Sequence, residues 1–229
     1  EALRSRQFQA ELDVLESRDP QFLESVGKVL SRAAKADRVT VLLQGATGSG
    51  KTHLARRFHS LSKRRERPFV TLDCGQASNA DALAAELFGF SRKSGFTVDA
   101  AGRPGKALLA DGGVLFIDEV NSMPLELQPR LLRLVESGRY SALGSGEEVR
   151  VDIQVIAATN EDLKLAVRER RFREDLYFRL SQITLSLTSL SERRADVVPL
   201  AERLLTSAAR RFGLEHLHFS GDAMALLEN

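Results

Sequence analysis

Gly45-Ala46-Thr47-Gly48-Ser49-Gly50-Lys51-Thr52 decides how the rest of the chain is read. It fills the phosphate-loop template G-x-x-x-x-G-K-[ST] at every fixed position. Thr40-Val41-Leu42-Leu43-Gln44 before it reads as a short buried strand, and Lys51 to Leu61 after it reads as a helix. Strand, glycine-rich turn and helix are the context that the motif requires. Gly45, Gly48 and Gly50 let the backbone turn so that consecutive N–H groups face phosphate oxygens. The helix N-terminus adds partial positive charge at the same place. Lys51 is placed to reach β- and γ-phosphates, and the Thr52 hydroxyl to ligate Mg²⁺.

A second motif lies downstream. Val114-Leu115-Phe116-Ile117 reads as a fully buried strand that ends in two carboxylates, Asp118 and Glu119. This is the Walker B pattern: Asp118 would hold Mg²⁺ directly or through water, and Glu119 would polarise the water that attacks the γ-phosphate. Phe69 to Asp73 reads as another strand. Asp73 stands at its carboxyl end, where ligands bind in open α/β sheets. Ile153 to Ala158 is a further buried strand, followed by Thr159-Asn160. The Asn160 amide either senses the γ-phosphate or caps the helix that follows. Ile183 to Leu187 makes a fifth strand. Helices are expected over 80–88, 105–110 and 125–136, and a small hairpin over 137–152.

Composition sets the outer limits. The 229 residues are 43% apolar and 28% charged, with net charge +2, which is no electrostatic footprint for nucleic acid. The single cysteine, Cys74, excludes an internal disulfide and fits a reducing, cytoplasmic setting. No apolar run approaches the roughly 20 residues of a membrane span, and no signal peptide opens the chain. A start at Glu1 and an end inside a helical pattern are what a piece of a longer protein would show. Residues 1–18 form an amphipathic segment, either the end of a linker helix or a docked N-terminal helix. Asp19-Pro20 reads as a helix start. The basic run Lys63 to Arg67 reads as a solvated loop. Periodicity fails between Gly89 and Pro104, and a loop of that length is usually functional. In Phe172 to Leu180, Arg173 and Arg179 lie about 240° apart around a helix. They either serve an oxyanion or are surface arginines paired with Glu174 and Asp175. Asp196 to Phe212 is amphipathic, with Val197, Leu200, Ala201, Leu204, Leu205 and Ala208 on the apolar face.

From about Val39 onward the chain resembles the central AAA+ ATPase domain of bacterial enhancer-binding proteins, the NtrC-like activators of sigma-54 RNA polymerase. The motifs that carry the resemblance are G-A-T-G-S-G-K-T, A-E-L-F-G, G-G-V-L-F-I-D-E-V, V-D-I-Q-V-I-A-A-T-N-E-D-L and F-R-E-D-L-Y-F-R-L, in the family's order and spacing. The resemblance implies an α/β fold with a five-stranded, mainly parallel sheet between helices. N-terminal linker and helices would span 1–38, the ATPase core 39–189 and the start of a helical lid 190–229. It further implies ATP and Mg²⁺ as ligands, hydrolysis of ATP, and a self-assembled ring, usually hexameric, with nucleotide between subunits. Arg173 and Arg179 match arginine fingers, and Asn160 matches the first sensor. DNA would be reached through a domain absent from this chain.

Three departures stand out. Thr52 replaces the family's usual glutamate. Asp73 stands where the family has an asparagine that restrains the Walker B glutamate, which brings like charge towards Glu119. The family's sigma-54-contacting G-A-F-T-G-A becomes Ser94-Gly95-Phe96-Thr97-Val98-Asp99. The altered loop leaves open an ATPase that acts on another target, and also a nucleotide-stabilised assembly module.

Overall fold

The computed structural model describes residues 17–36, 38–91, 102–214 and 217–228. They divide into two units, one over Val29–Leu187 and one formed by the two ends of the chain, Glu1–Lys28 with Thr188–Asn229.

The larger unit runs α1 (Lys28–Lys35), β1 (Val41–Gln44), α2 (Lys51–Leu61), β2 (Phe69–Asp73), α3 (Ala80–Phe88), β3 (Gly89–Phe90), β4 (Arg103–Pro104), α4 (Lys106–Leu109), β5 (Val114–Asp118), α5 (Gln128–Ser137), β6 (Arg139–Tyr140), β7 (Val149–Arg150), β8 (Gln154–Thr159), α6 (Leu163–Arg168), α7 (Glu174–Leu180) and β9 (Ile183–Ser186). Five strands form one sheet in the order β2-β5-β8-β1-β9. Every pairing in it is parallel. Parallel strands need helical crossovers, and these cover both faces, so the middle strands carry apolar runs rather than alternation. β8 is buried along its whole length, and β5 in all but its last residue. Leu115 and Ile117 join Leu42, Leu72 and Leu131 in one core on one side of the sheet. α2 packs on β1, β5 and β8, and it buries Leu54, Ala55 and Phe58.

β8 lies between the strand that precedes the glycine loop and the strand that ends in Asp118 and Glu119. Its register pairs Gln44 with Thr159 on one side and Ile117 with Ala157 on the other. The carboxyl ends of three adjacent strands therefore open on the same edge.

Arg64 corrects one expectation. The basic run is not wholly solvated, because Arg64 is 6% exposed. Its guanidinium donates to the Gly113 and Asp152 carbonyls and to Asp152 Oδ1. A buried cation needs such partners, and the carbonyls at the amino ends of β5 and β8 supply them.

In the smaller unit the Asp19 side chain accepts from Phe22 N at 2.7 Å and caps Pro20–Phe22. Asp196 is buried. It accepts from Ser17 Oγ, from the backbone N–H groups of Arg18 and Asp19, and from Arg193. The Arg193 guanidinium lies 4.4 Å over the Phe22 ring. Val197–Phe212 and Gly221–Glu228 are helical. The apolar stripe expected to face inward on the first of these is partly covered: Val197, Leu200, Ala201 and Leu205 are half-buried, Leu204 is 59% exposed, Ala208 is exposed, and Ala209 is buried. Periodicity marks an apolar face but does not supply the surface that covers it. Among the described residues no helix is long and apolar enough to cross a membrane.

Candidate active site

The glycine loop leaves β1 and turns directly into α2. A β-carbon on Gly45 would overlap the Leu187 carbonyl, so only glycine fits that close approach. Gly50 caps α2 at φ 95° with no side-chain cap bond. Its left-handed backbone suits glycine, and the first N–H groups of the helix stay available to an anion. Lys51 is 8% exposed, and its Nζ donates to the Gly45 and Ala46 carbonyls at 2.8 and 3.0 Å. A cavity of about 260 Å³ is lined by Thr47, Gly48, Gly50, Lys51, Thr52, Asp118 and Glu119.

Both carboxylates of the second motif border this cavity. Asp118 Oδ2 accepts from Thr52 Oγ1 at 3.2 Å, while its Oδ1 accepts from Glu119 N at 3.0 Å. Glu119 adopts φ 49°, ψ 47°. A left-handed glutamate is a strained backbone of the kind that clusters at functional sites. Thr52 and Asp118 present only oxygen donors, which fits a hard divalent cation such as Mg²⁺. Among the described residues no group of three or more histidine, cysteine or acidic side chains could hold a metal. A cation at this place would thus complete its shell from phosphate oxygens and water. The local field is negative. Burial first, and then the charges of Asp73, Asp118, Glu86 and Glu119, push the Cys74 thiol up to about 12.

Asn160 reaches the loop from the tip of β8, with its Nδ2 3.5 Å from Thr47 Oγ1. The helix that follows is capped by Asp162, whose Oδ1 accepts from Lys164 N at 2.9 Å. Asn160 is therefore not that helix's cap. Next to it, Thr159 Oγ1 donates to Asn121 Oδ1, and the Thr159 carbonyl accepts from Gly45 N. One strand end touches the glycine loop on one side and the segment after Glu119 on the other. Asp73 pairs in register with Asp118. Its Oδ1 accepts from Gly75 N at 3.0 Å and its Oδ2 from Gln76 Nε2 at 2.8 Å.

The two candidate arginines stand in different surroundings. Arg173 precedes α7, its N–H donates to Gln128 Oε1, and its guanidinium pairs with Asp175 at 2.7 Å. That ion pair is the surface alternative raised by the sequence. Arg179 lines a cavity of about 420 Å³ with Arg38, Thr40, Asp152 and Val155, at the amino ends of the strands. Its Nε is buried without a hydrogen-bond partner. It therefore lies at the opposite end of the sheet from its own glycine loop. Gln128 was not singled out by the sequence. It is fully buried and holds the Met123 and Arg171 carbonyls as well as Arg173 N. Its signal was a polar residue on the same stripe as Leu131 and Leu134.

Ser94 to Asp99 lie outside the described residues. The root of that segment is described: β3 and β4 pair antiparallel, and Ser91 N and Leu143 N exchange bonds with the Leu143 and Gly89 carbonyls. Arg130 stands 4.1 Å over the Phe88 ring and donates to the Ser141 carbonyl at 2.7 Å. It joins α3 to the hairpin.

The sigma-54 interaction domain family matches residues 17–186. The chain belongs to that family. It is 42% identical over 200 residues to the response regulator protein FleR of Pseudomonas aeruginosa, covering 87% of this chain and 41% of FleR. It is 42% identical over 205 residues to the formate hydrogenlyase transcriptional activator FhlA of Escherichia coli, covering 90% of this chain and 29% of FhlA. A crystal structure of NtrX from Brucella abortus in complex with ADP matches at TM-score 0.80 and 29% identity, over 93% of this chain and 46% of NtrX. The chain thus spans less than half the length of these three proteins. Its α/β architecture is that of an AAA+ phosphate-loop domain in a family of sigma-54-dependent activators.

Proposed function

We propose that this domain binds and hydrolyses ATP within a ring of its own copies, and that the cycle remodels sigma-54 RNA polymerase. The observation that carries the proposal is the meeting of Lys51, Thr52, Asp118 and Glu119 around one cavity, with Asn160 reaching its rim. In this reading, the loop N–H groups and Lys51 bind the phosphates. Glu119 orients the attacking water and accepts its proton. Asn160 positions that water or reads the γ-phosphate. Thr52 and Asp118 would hold Mg²⁺, which when bound neutralises charge on the phosphate oxygens.

Arg179 supports shared sites. A permanent cation on a cavity at the opposite end of the sheet from its own glycine loop suits an oxyanion brought by a neighbouring copy. Arg173 would join it after leaving Asp175. The family's description as a sigma-54 interaction domain supports sigma-54 regulation as the use of the cycle, and the name of FhlA supports transcriptional activation. The test is ATP hydrolysis by the wild type and by Glu119→Gln under conditions in which both bind nucleotide. Equal turnover by the two would sink the assignment. Val98 and Asp99, where the family loop has small residues, favour a second reading in which the same ATPase acts on another target. Capture of sigma-54 with an ATP transition-state analogue separates the two readings.

A further inference from the structure

We propose that Gly75 is a positioning residue for Glu119: its missing side chain makes the seat in which the Glu119 carboxylate lies, on the loop after β2. This rests on the reading of Glu119 as the group that orients water.

A β-carbon built on Gly75 would overlap Glu119 Oε2, touch Glu119 Cδ at 3.0 Å, and lie 3.5 Å from Asp73 Oδ1. The need for glycine is therefore one of space. The Gly75 backbone is not among those with positive φ, so an alanine could adopt it without strain. The loop that forms the seat is held by Asp73, which accepts from both Gly75 N and Gln76 Nε2. On the other side, the chain at Glu119 is fixed by its left-handed turn and by Asp118 Oδ1 on its N–H. With both backbones fixed, the freedom left to Glu119 is in its side-chain torsions. One rotamer lays the carboxylate against Gly75, at the edge of the cavity that Glu119 lines with Thr47, Lys51 and Asp118.

Filling the seat should shift the carboxylate into that cavity. Because the displaced atoms are the far end of a flexible side chain, Gly75→Ala should fold. Its effect on turnover should be on kcat: a rise of threefold or more, with KM and ATP affinity within twofold of wild type.

The experiment is a four-protein cycle, wild type, Gly75→Ala, Glu119→Ala and the double variant, read first by thermal melting and then by ATPase kinetics. In the Glu119→Ala background the seat is empty. There Gly75→Ala should raise Tm by about 2 °C through its effect on the unfolded chain. In the wild-type background the overlap should cancel or reverse that gain. Equal Tm shifts in both backgrounds overturn the seat, whatever the activity. Unequal shifts with kcat unchanged or lowered overturn its control of turnover. Unequal shifts in proteins that bind ATP and never hydrolyse it leave the seat standing and defeat the ATPase reading instead.

Discussion

The hydroxyl of Thr52 donates to Asp118 Oδ2 across 3.2 Å, joining the first turn of α2 to a strand end 66 residues away in the chain. In the proposed function this pair would hold the divalent cation. Asp118→Ala should lower Mg²⁺-dependent hydrolysis by about 10²–10³-fold, the equivalent of several kcal/mol of lost charge stabilisation. Chelation of Mg²⁺ should bring the wild type to the same level. Steady-state phosphate release with and without chelator checks both.

Lys51→Ala should abolish nucleotide binding, measured with a fluorescent ADP analogue. Because Nζ also holds the Gly45 and Ala46 carbonyls, its loss should cost about 1 kcal/mol of stability, visible as a lowered Tm.

Glu119 links activity to strain. A left-handed glutamate costs roughly 1–2 kcal/mol, while glycine there loses about 0.5–1 kcal/mol to backbone entropy. Glu119→Gly should therefore gain about 0.5–1 kcal/mol in denaturant melts while turnover disappears. A destabilised Glu119→Gly would show that the turn carries no such strain.

Asp152 sets an acid limit. Burial pushes its carboxyl up, but hydrogen bonds and charge from Arg64 and then Arg38 outweigh this and hold it below the usual aspartate value. The group thus contributes stability that is present above the unfolded aspartate pKa, near 4, and is lost as pH falls through the lower folded value. Asp152→Asn should lower Tm at pH 7 and flatten the acid branch of the Tm–pH curve below pH 4. Parallel curves for the two proteins would contradict it.

Arg179 should act in trans. Arg179→Ala and Lys51→Ala should each be inactive, the first with near-normal nucleotide affinity. Mixing them should restore part of the activity, because intact phosphate loops meet intact arginines at some interfaces. No recovery at concentrations where the wild type is active would exclude the shared site.

The five strands, the glycine loop and the paired carboxylates were legible because each is a local signal. A short apolar run bounded by turns needs no partner to be recognised, and a phosphate loop is defined by spacing. What escaped the sequence depends on distant neighbours. Arg64 looked solvated within its basic run, and only the carbonyls of Gly113 and Asp152 make it a buried clamp. Gly75 carries no local signal, and only the approach of Glu119 gives its missing side chain a meaning. Asn160 had two readings, and the cap that one of them required is taken by Asp162. The stripe on Val197–Phe212 is apolar as read, and its cover is partial: Leu200 and Leu205 are half-buried while Leu204 and Ala208 are exposed.

Arg64 also has a mechanical consequence. It pins the amino ends of β5 and β8 together, while their carboxyl ends bear Asp118 and Thr159. Ladder pairing runs between the two strands from Val114–Gln154 to Ile117–Ala157, so a displacement at the clamp is carried along both strands to the ends that bear Asp118 and Thr159. Loosening the clamp should therefore blur the response at the far end before it unfolds the sheet.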